Sequence, residues 1–430
     1  MHRLVQRGLL IATAASLLAA SACSSASTPS GTTTTKGDST GVTADSILVG
    51  THQPLTGPAA ASYGSISAAT KAYFDAVNAK GGINGRKITY KVVDDGYNPA
   101  NTVTVVNQLI LTDKVFALLN GLGTPTHSGV LDTIKENGVP DLFVASGSIN
   151  WNQPDKYPDT FGYQTDYVTD YKILGTYVKR TWPDKKVCFF GQSDDFGANS
   201  LTGLKLGIGG DPVSQDGYTV GSTSFVAQMT KLKTAGCEVI VTATLTAYTG
   251  LAIATAASIG FAPQFVTSST GGDYQVLVGS QALKAHPELA NGLVTSGYLP
   301  AVSDATNPWV AGFKKINDQY NTGHAFDGNA LYGMSVGYLF VQALLAAGKD
   351  LTREGLLAAV EKNGFKGPGL APLGFSKTYH SGYTGVQLSK ITNGVQAAFG
   401  PVYTTDQKSG PVTEYTQPAT TPPADMVPTA

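Results

Sequence analysis

Short apolar runs recur along most of the chain: SILVGT, VFALLNG, PDLFVAS, KVCFFGQ, EVIVTAT, QFVTSS and GLVTSGY. Each is bounded by Gly, Ser, Thr or another polar residue, and stretches with helical patterning separate most of them. A strand that is apolar at successive positions must be covered on both faces, which is the condition inside a parallel sheet flanked by helices. The pattern therefore predicts an α/β fold with doubly wound parallel sheets.

The segment NAKGGINGRKITYKVVDDGYNP, residues 78 to 99, shows how the units are joined. Upstream, Ile66, Ala69, Tyr73 and Val77 recur at helical spacing, and Gly81-Gly82 arrives where a left-handed C-terminal cap is expected. Asn84-Gly85 then supplies the positive φ angles of a tight turn, and Ile88, Tyr90 and Val92 alternate with polar neighbours as an edge strand does. A phosphate loop would need GxxxxGK[ST] opening a helix, whereas Gly85-Arg86-Lys87 opens a strand. The glycines are punctuation, not a phosphate cradle.

With 430 residues, 42% of them apolar, the chain can bury a large core and divide into two or three domains. Its 29 basic and 30 acidic residues give neither a polycationic footprint for nucleic acid nor a basic stripe for an anionic membrane surface. At the N-terminus, Arg3 and Arg7 precede an apolar run from Leu9 to Ala22, the pattern of an export signal over residues 1–22. LLAASAC resembles the lipobox of bacterial lipoproteins, which makes Cys23 the expected lipidated residue, although Ala20 stands where leucine is commoner. Residues 24 to 46 are mostly Ser, Thr, Gly and Asp and suit a flexible tether, so 23–44 is assigned to the anchor and its linker. The Pro-rich segment 413–430 is expected to be loosely ordered. Cys188 and Cys237 then remain, each near the start of a strand-like run; they suit either one disulfide of an exported protein or two small buried apolar residues.

The loops leaving the strands bear on function, because ligands of open α/β sheets bind outside the carboxyl ends of the strands. Those ends read THQPLTGP, GLGTPTHS, ASGSIN, GQSDDFGANS, TLTAYTG and SSTGGD. Hydroxyls, backbone amides and helix starts gathered at two sheet edges suit a small polar or anionic molecule. Taken singly, Phe196 suits a core position, and Thr124 or Ser148 a helix cap.

The order of segments is recognisable. PLTGP, YG before a long helix, the 78–99 segment, DKVFALLNG, VPDLFVAS, DDFG, the helix from Leu331 to Gly348 and LGFSKTYHSGYTG together resemble the leucine/isoleucine/valine-binding family of ABC-transporter substrate-binding proteins, over roughly residues 45 to 405. The resemblance implies the type I periplasmic-binding fold: two doubly wound lobes joined by three hinge crossovers, near Gly162, Leu299 and Gly374. Lobe 1 would comprise 45–162 and 299–374, and lobe 2 163–298 and 375–412. It further implies a lipoprotein anchored outside the cytoplasmic membrane that captures a small solute of the amino-acid, amide or carboxylate class, passes it to an ABC permease complex, and uses no cofactor. Solute contacts would come from Tyr63, Thr124, the Ala145-Ser146-Gly147-Ser148 turn, Phe196, Thr246 and Ser269. Tyr63 and Phe196 would be facing walls, with Thr124 and the turn donating to a carboxylate or similar group.

The chain departs from its family at two of these places. Members that bind α-amino acids carry an acidic residue for the ammonium group where this chain has Ser269 or Thr270, and Gly147 replaces the usual threonine of the carboxylate-binding turn. A carboxylate or amide without a free ammonium is the expected solute. Enzyme readings fail on context: GMSVG, Gly333 to Gly337, matches a nucleophile elbow but lies in helical patterning, and the 6 histidines show no metal-binding spacing. The alternative function is a ligand-sensing module for a membrane receptor, separable by whether permease or sensor-kinase genes lie beside it.

Overall fold

A computed structural model of the chain describes residues 37–416, 418 and 420–429. The expected export segment, Cys23 and the first part of the tether lie outside the described residues. Two sheets carry the architecture. The first is five-stranded in the order β2-β1-β3-β4-β5, with β1 (Ser46–Gln53), β2 (Lys87–Asp94), β3 (Ala117–Leu119), β4 (Asp141–Val144) and β5 (Thr160–Gly162). All its pairings are parallel, and β2 is the edge strand that its alternating sequence implies. The Asn84-Gly85 turn leading into β2 has φ of 51° and 86°.

The second sheet is eight-stranded, built from β6 (Val187–Gln192), β7 (Ser214–Tyr218), β8 (Val239–Ala243), β9 (Gln264–Thr267), β10 (Val294–Gly297), β11 (Gly385–Thr392), β12 (Val395–Thr404) and β13 (Thr413–Tyr415). Its order is β13-β12-β11-β10-β9-β8-β6-β7. The five strands from β6 to β10 pair in parallel, but β11, β12 and β13 are antiparallel, so this lobe is mixed rather than wholly parallel. A short turn can join β11 to β12 only in an antiparallel hairpin, because parallel neighbours need a long crossover.

The chain passes between the sheets three times: after β5, between β10 and the helix Pro308–Tyr320, and before β11. On the first lobe, the apolar face Ile66, Ala69, Tyr73 and Val77 is buried against the helix Gly328–Ala347. Their backbones approach closely at Gly333, where a Cβ would stand 2.4 Å from the carbonyl oxygen of Ile66. Ser335 of the GMSVG stretch lies inside this helix and shares a hydrogen bond with the Tyr163 hydroxyl, with no strand-to-helix turn to expose it. Cys188 and Cys237 are bonded to each other, joining β6 to the segment entering β8.

Two expected boundaries need correction. Residues 37–44 are not tether: Arg353 binds the Asp38 carboxylate at 2.8 Å, and Val42 bridges to Ile47. The segment from Thr413 is not loosely ordered either. It adds β13 to the second sheet and then reaches the first lobe, where Trp309 Nε1 donates to the Thr420 carbonyl at 2.9 Å and Met426 is buried. Its prolines forbid helix, yet an extended strap needs none, and apolar Met426 supplies what the composition hides.

Candidate functional site

The carboxyl ends of the two sheets face each other across a crevice of about 350 Å³. Tyr63, Thr124 and Ala145 line it from the first lobe, and Phe196, Thr246 and Ser269 from the second. These are six of the nine positions expected from the sequence. Ser146, Gly147 and Ser148 are not among the lining residues. Ser146 turns its hydroxyl to Thr124 at 2.7 Å, Gly147 uses its carbonyl to accept from the Tyr167 amide, and Ser148 caps the turn Ile149–Trp151. A register shift between Asp141 and Val144, with Phe143 at φ 60°, re-aims the residues that follow β4.

Aromatic side chains missed in the sequence complete the walls: Tyr97, Tyr167, Tyr298 and Tyr332 all line the crevice. Tyr167 packs on Phe196 with ring centroids 4.4 Å apart, and its hydroxyl lies among those of Ser146, Thr124 and Thr270. Asn120 Nδ2 donates to the Tyr332 hydroxyl at 2.8 Å. Leu122, Leu245 and Leu331 fill the spaces between rings. Large flat walls with a few converging hydroxyls fix the orientation of a small molecule and exclude water from it.

The electrostatics are sparse. Among the described residues no Lys, Arg or His lines the crevice, and Asp273 is its one carboxylate. That carboxylate is committed: it caps the helix Tyr274–Gly279 by accepting from Val276 N at 2.9 Å, and it also takes the Gly328 amide that opens the long helix of the other lobe. Burial, then Asp327 nearby, pushes it up to about 6. Ser269 and Thr270 offer hydroxyls and carbonyls only. The Thr270 carbonyl accepts from Tyr63 at 2.6 Å and from Thr246 at 3.1 Å.

A family model described as periplasmic binding protein matches residues 46–396. The chain belongs to that family. This periplasmic binding protein is 29% identical to Leu/Ile/Val-binding protein homolog 2 of Brucella abortus over 336 residues, covering 74% of the chain and 84% of the relative. Its fold is similar to that of a branched-chain amino acid ABC transporter protein from Thermus thermophilus with bound valine, at a TM-score of 0.76 and 19% identity, covering 84% of this chain and 97% of the other. It is equally similar to a fatty acid ABC transporter substrate-binding protein from Thermomonospora curvata, at a TM-score of 0.75 and 22% identity, covering 88% and 98%. One fold thus serves chemically different solutes, and the wall residues must decide between them.

Proposed function

We propose that this periplasmic binding protein works outside the cytoplasmic membrane, enclosing a small carboxylate or amide that lacks a free ammonium group and delivering it to an ABC importer. The observation that carries the solute class is the wall itself: tyrosines and Phe196 from both lobes, a hydroxyl cluster, and a single carboxylate already bound to two helix N-termini. A buried ammonium would have no free anionic partner there, and an unpaired buried charge is strongly unfavourable. A carboxylate or amide oxygen can take hydrogen bonds from Thr124 and Tyr167, while its apolar part meets the rings. The Brucella relative supports solute binding through its name, and the Thermus protein, by its name an ABC transporter protein with bound valine, supports the transport role.

Cys23 is the proposed membrane anchor, on the strength of the apolar run ending in LLAASAC. Membrane fractionation of a Cys23→Ala variant checks this, with release from membranes as the expected outcome. The solute assignment is tested by thermal shift across amino acids, amides, aromatic acids and aliphatic acids, since a ligand bound only by the folded chain raises the midpoint. Acids or amides should raise it. A shift confined to α-amino acids overturns the solute class.

A further inference from the structure

Behind the first lobe's wall runs a chain of buried titratable groups that solute contact does not explain. Asp95 Oδ2 lies 2.8 Å from His52 Nδ1, His52 Nε2 lies 2.9 Å from His127 Nδ1, and His127 Nε2 lies 2.7 Å from Asp141 Oδ2. All four side chains are at most 1% exposed. Gly121 passes against the middle contact so closely that a Cβ would stand 2.5 Å from His52 Nε2 and 2.7 Å from His127 Nδ1.

The proton count of this chain is unusual. Each contact needs a proton between its two heavy atoms. Two carboxylates and two neutral imidazoles supply two protons, both used by the outer contacts, and the two histidines would then face each other with lone pairs. The observed spacing at all three contacts requires a third, carried by a ring nitrogen or by one of the two carboxyls. Burial pushes the His52 imidazole below its usual value.

The neighbours that bear on this charge are few. Thr102 Oγ1 donates to Asp95 Oδ2 at 2.8 Å, and Trp151 meets the His127 ring edge-on at 5.0 Å. Asp159 sits near Asp141, pushed up to about 6 by burial and by Asp141, with Arg353 and Lys135 opposing that rise. Asp141 Oδ1 has no hydrogen-bond partner among the described residues.

The far oxygen of Asp95 leads to the crevice. Asp95 Oδ1 accepts from the Tyr97 amide at 2.9 Å, and Tyr97 has φ 58°. A bulky residue in the left-handed region persists only where its surroundings enforce it, and such strain gathers at functional sites. Gly123 makes room for the ring, since a Cβ there would stand 2.6 Å from it.

We propose that Asp95 is a positioning residue for the solute site: anchored through His52 and His127 to Asp141, it holds Tyr97 in the left-handed conformation that presents its ring to the crevice, and it does so while the chain keeps its third proton. This rests on the crevice being the solute site, so the tests use the solute-free full chain, and failure of the solute assignment leaves them readable. With histidine labelled in the ring by nitrogen-15, NMR should show a proton held between the two rings as a scalar coupling between His52 Nε2 and His127 Nδ1, assigned by His127→Gln. Two rings that share no proton would overturn the proposal. As the pH is varied, the Tyr97 amide resonance should move with the same midpoint as the histidine pair. An amide that stays still while the pair titrates overturns the positioning role. The two NMR measurements need no variant to fold beyond assignment.

Discussion

The Tyr63 hydroxyl donates to the Thr270 carbonyl at 2.6 Å, joining the two lobes across the mouth of the crevice. Three further contacts cross the same divide: Ala247 N to Ser62 Oγ at 3.0 Å, Asn150 Nδ2 to Asp195 Oδ2 at 3.0 Å and Ile149 N to Asn199 Oδ1 at 3.1 Å. Together they describe lobes closed on each other, the state in which a ligand between them is enclosed. Because the bond spans the lobes, it favours closure without acting on either lobe alone.

Tyr63→Phe should keep the aromatic wall and lose this bond. A typical net hydrogen bond is about 1 kcal/mol, so solute affinity should fall roughly fivefold. Calorimetric titration of both proteins with a solute found by thermal shift checks this, and small-angle scattering should show the variant more open at subsaturating solute. An unchanged affinity would mean that the bond forms equally in open and closed states.

The Cys188–Cys237 bond closes a loop with a sequence separation of 49. Replacing both cysteines by alanine should cost about 3 kcal/mol of stability, mainly through the greater freedom of the unfolded chain. Denaturant titration reads the change, and reductant should reproduce it in the wild type.

Asp170 lies buried on the helix Tyr167–Thr181, with Oδ1 unpartnered among the described residues. Burial pushes its carboxyl up to about 7, with the Ser296 hydroxyl opposing the rise. A carboxyl raised in the folded state weakens the fold as pH climbs from the unfolded value toward the folded one, because the unfolded chain ionises first. Asp170→Asn should therefore be more stable than wild type at pH 8, by on the order of 3 kcal/mol, and should match it near pH 4. Thermal melts at several pH values give the comparison.

The strand ends were legible because apolar runs and the polar loops after them are local signals. Thr124, Phe196, Thr246 and Ser269 lie in such segments and reach the crevice, as does Tyr63 at the end of the short helix Ala60–Tyr63 beyond the first of them. Ser146 to Ser148 failed because the direction of a side chain after a strand depends on register, and the shift at β4 changes it. Tyr332 was hidden in a helix apolar on all sides, where periodicity cannot say which face meets the crevice. Tyr97 carried a usable signal, since it lies in the DDGYNP motif directly after β2. The pairing of β11 with β12 and β13, and the strap beyond, depends on contacts remote in sequence.

That strap should matter for stability. Tyr73 donates its hydroxyl to the Met426 carbonyl at 2.8 Å, and Met426 fills the space over Gly312, where a Cβ would stand 2.1 Å from its sulfur. Met426→Ala should cost about 2 kcal/mol, the lower end for a buried methionine because the strap can adjust. Removing residues 413–430 should cost more and expose the apolar side of Trp309 and Tyr73. Denaturant titration and binding of a hydrophobic dye check both, and a truncation as stable as the full chain would show that the strap only rests on the surface.

Under the proposed function, charge at the crevice is what selects the solute. An α-amino acid brings an ammonium group that must be paired on burial, and the carboxylate present, Asp273, is held by amides of two helices. Drawing it toward a ligand would leave those helix starts unsatisfied, exchanging one loss for another. Titration with leucine, isoleucine and valine should therefore give no binding at micromolar concentrations, while a carboxylate or amide of similar bulk binds. Ser269 lines the crevice without an ionisable group, so Ser269→Asp should reverse the preference: the new carboxylate repels an acid and can pair with an ammonium. The expected shift is at least about tenfold in the ratio of the two affinities, equal to about 1.4 kcal/mol. Micromolar binding of valine by the wild type would show that Asp273 is freed by the ligand after all, and Asp273→Asn would then abolish that binding.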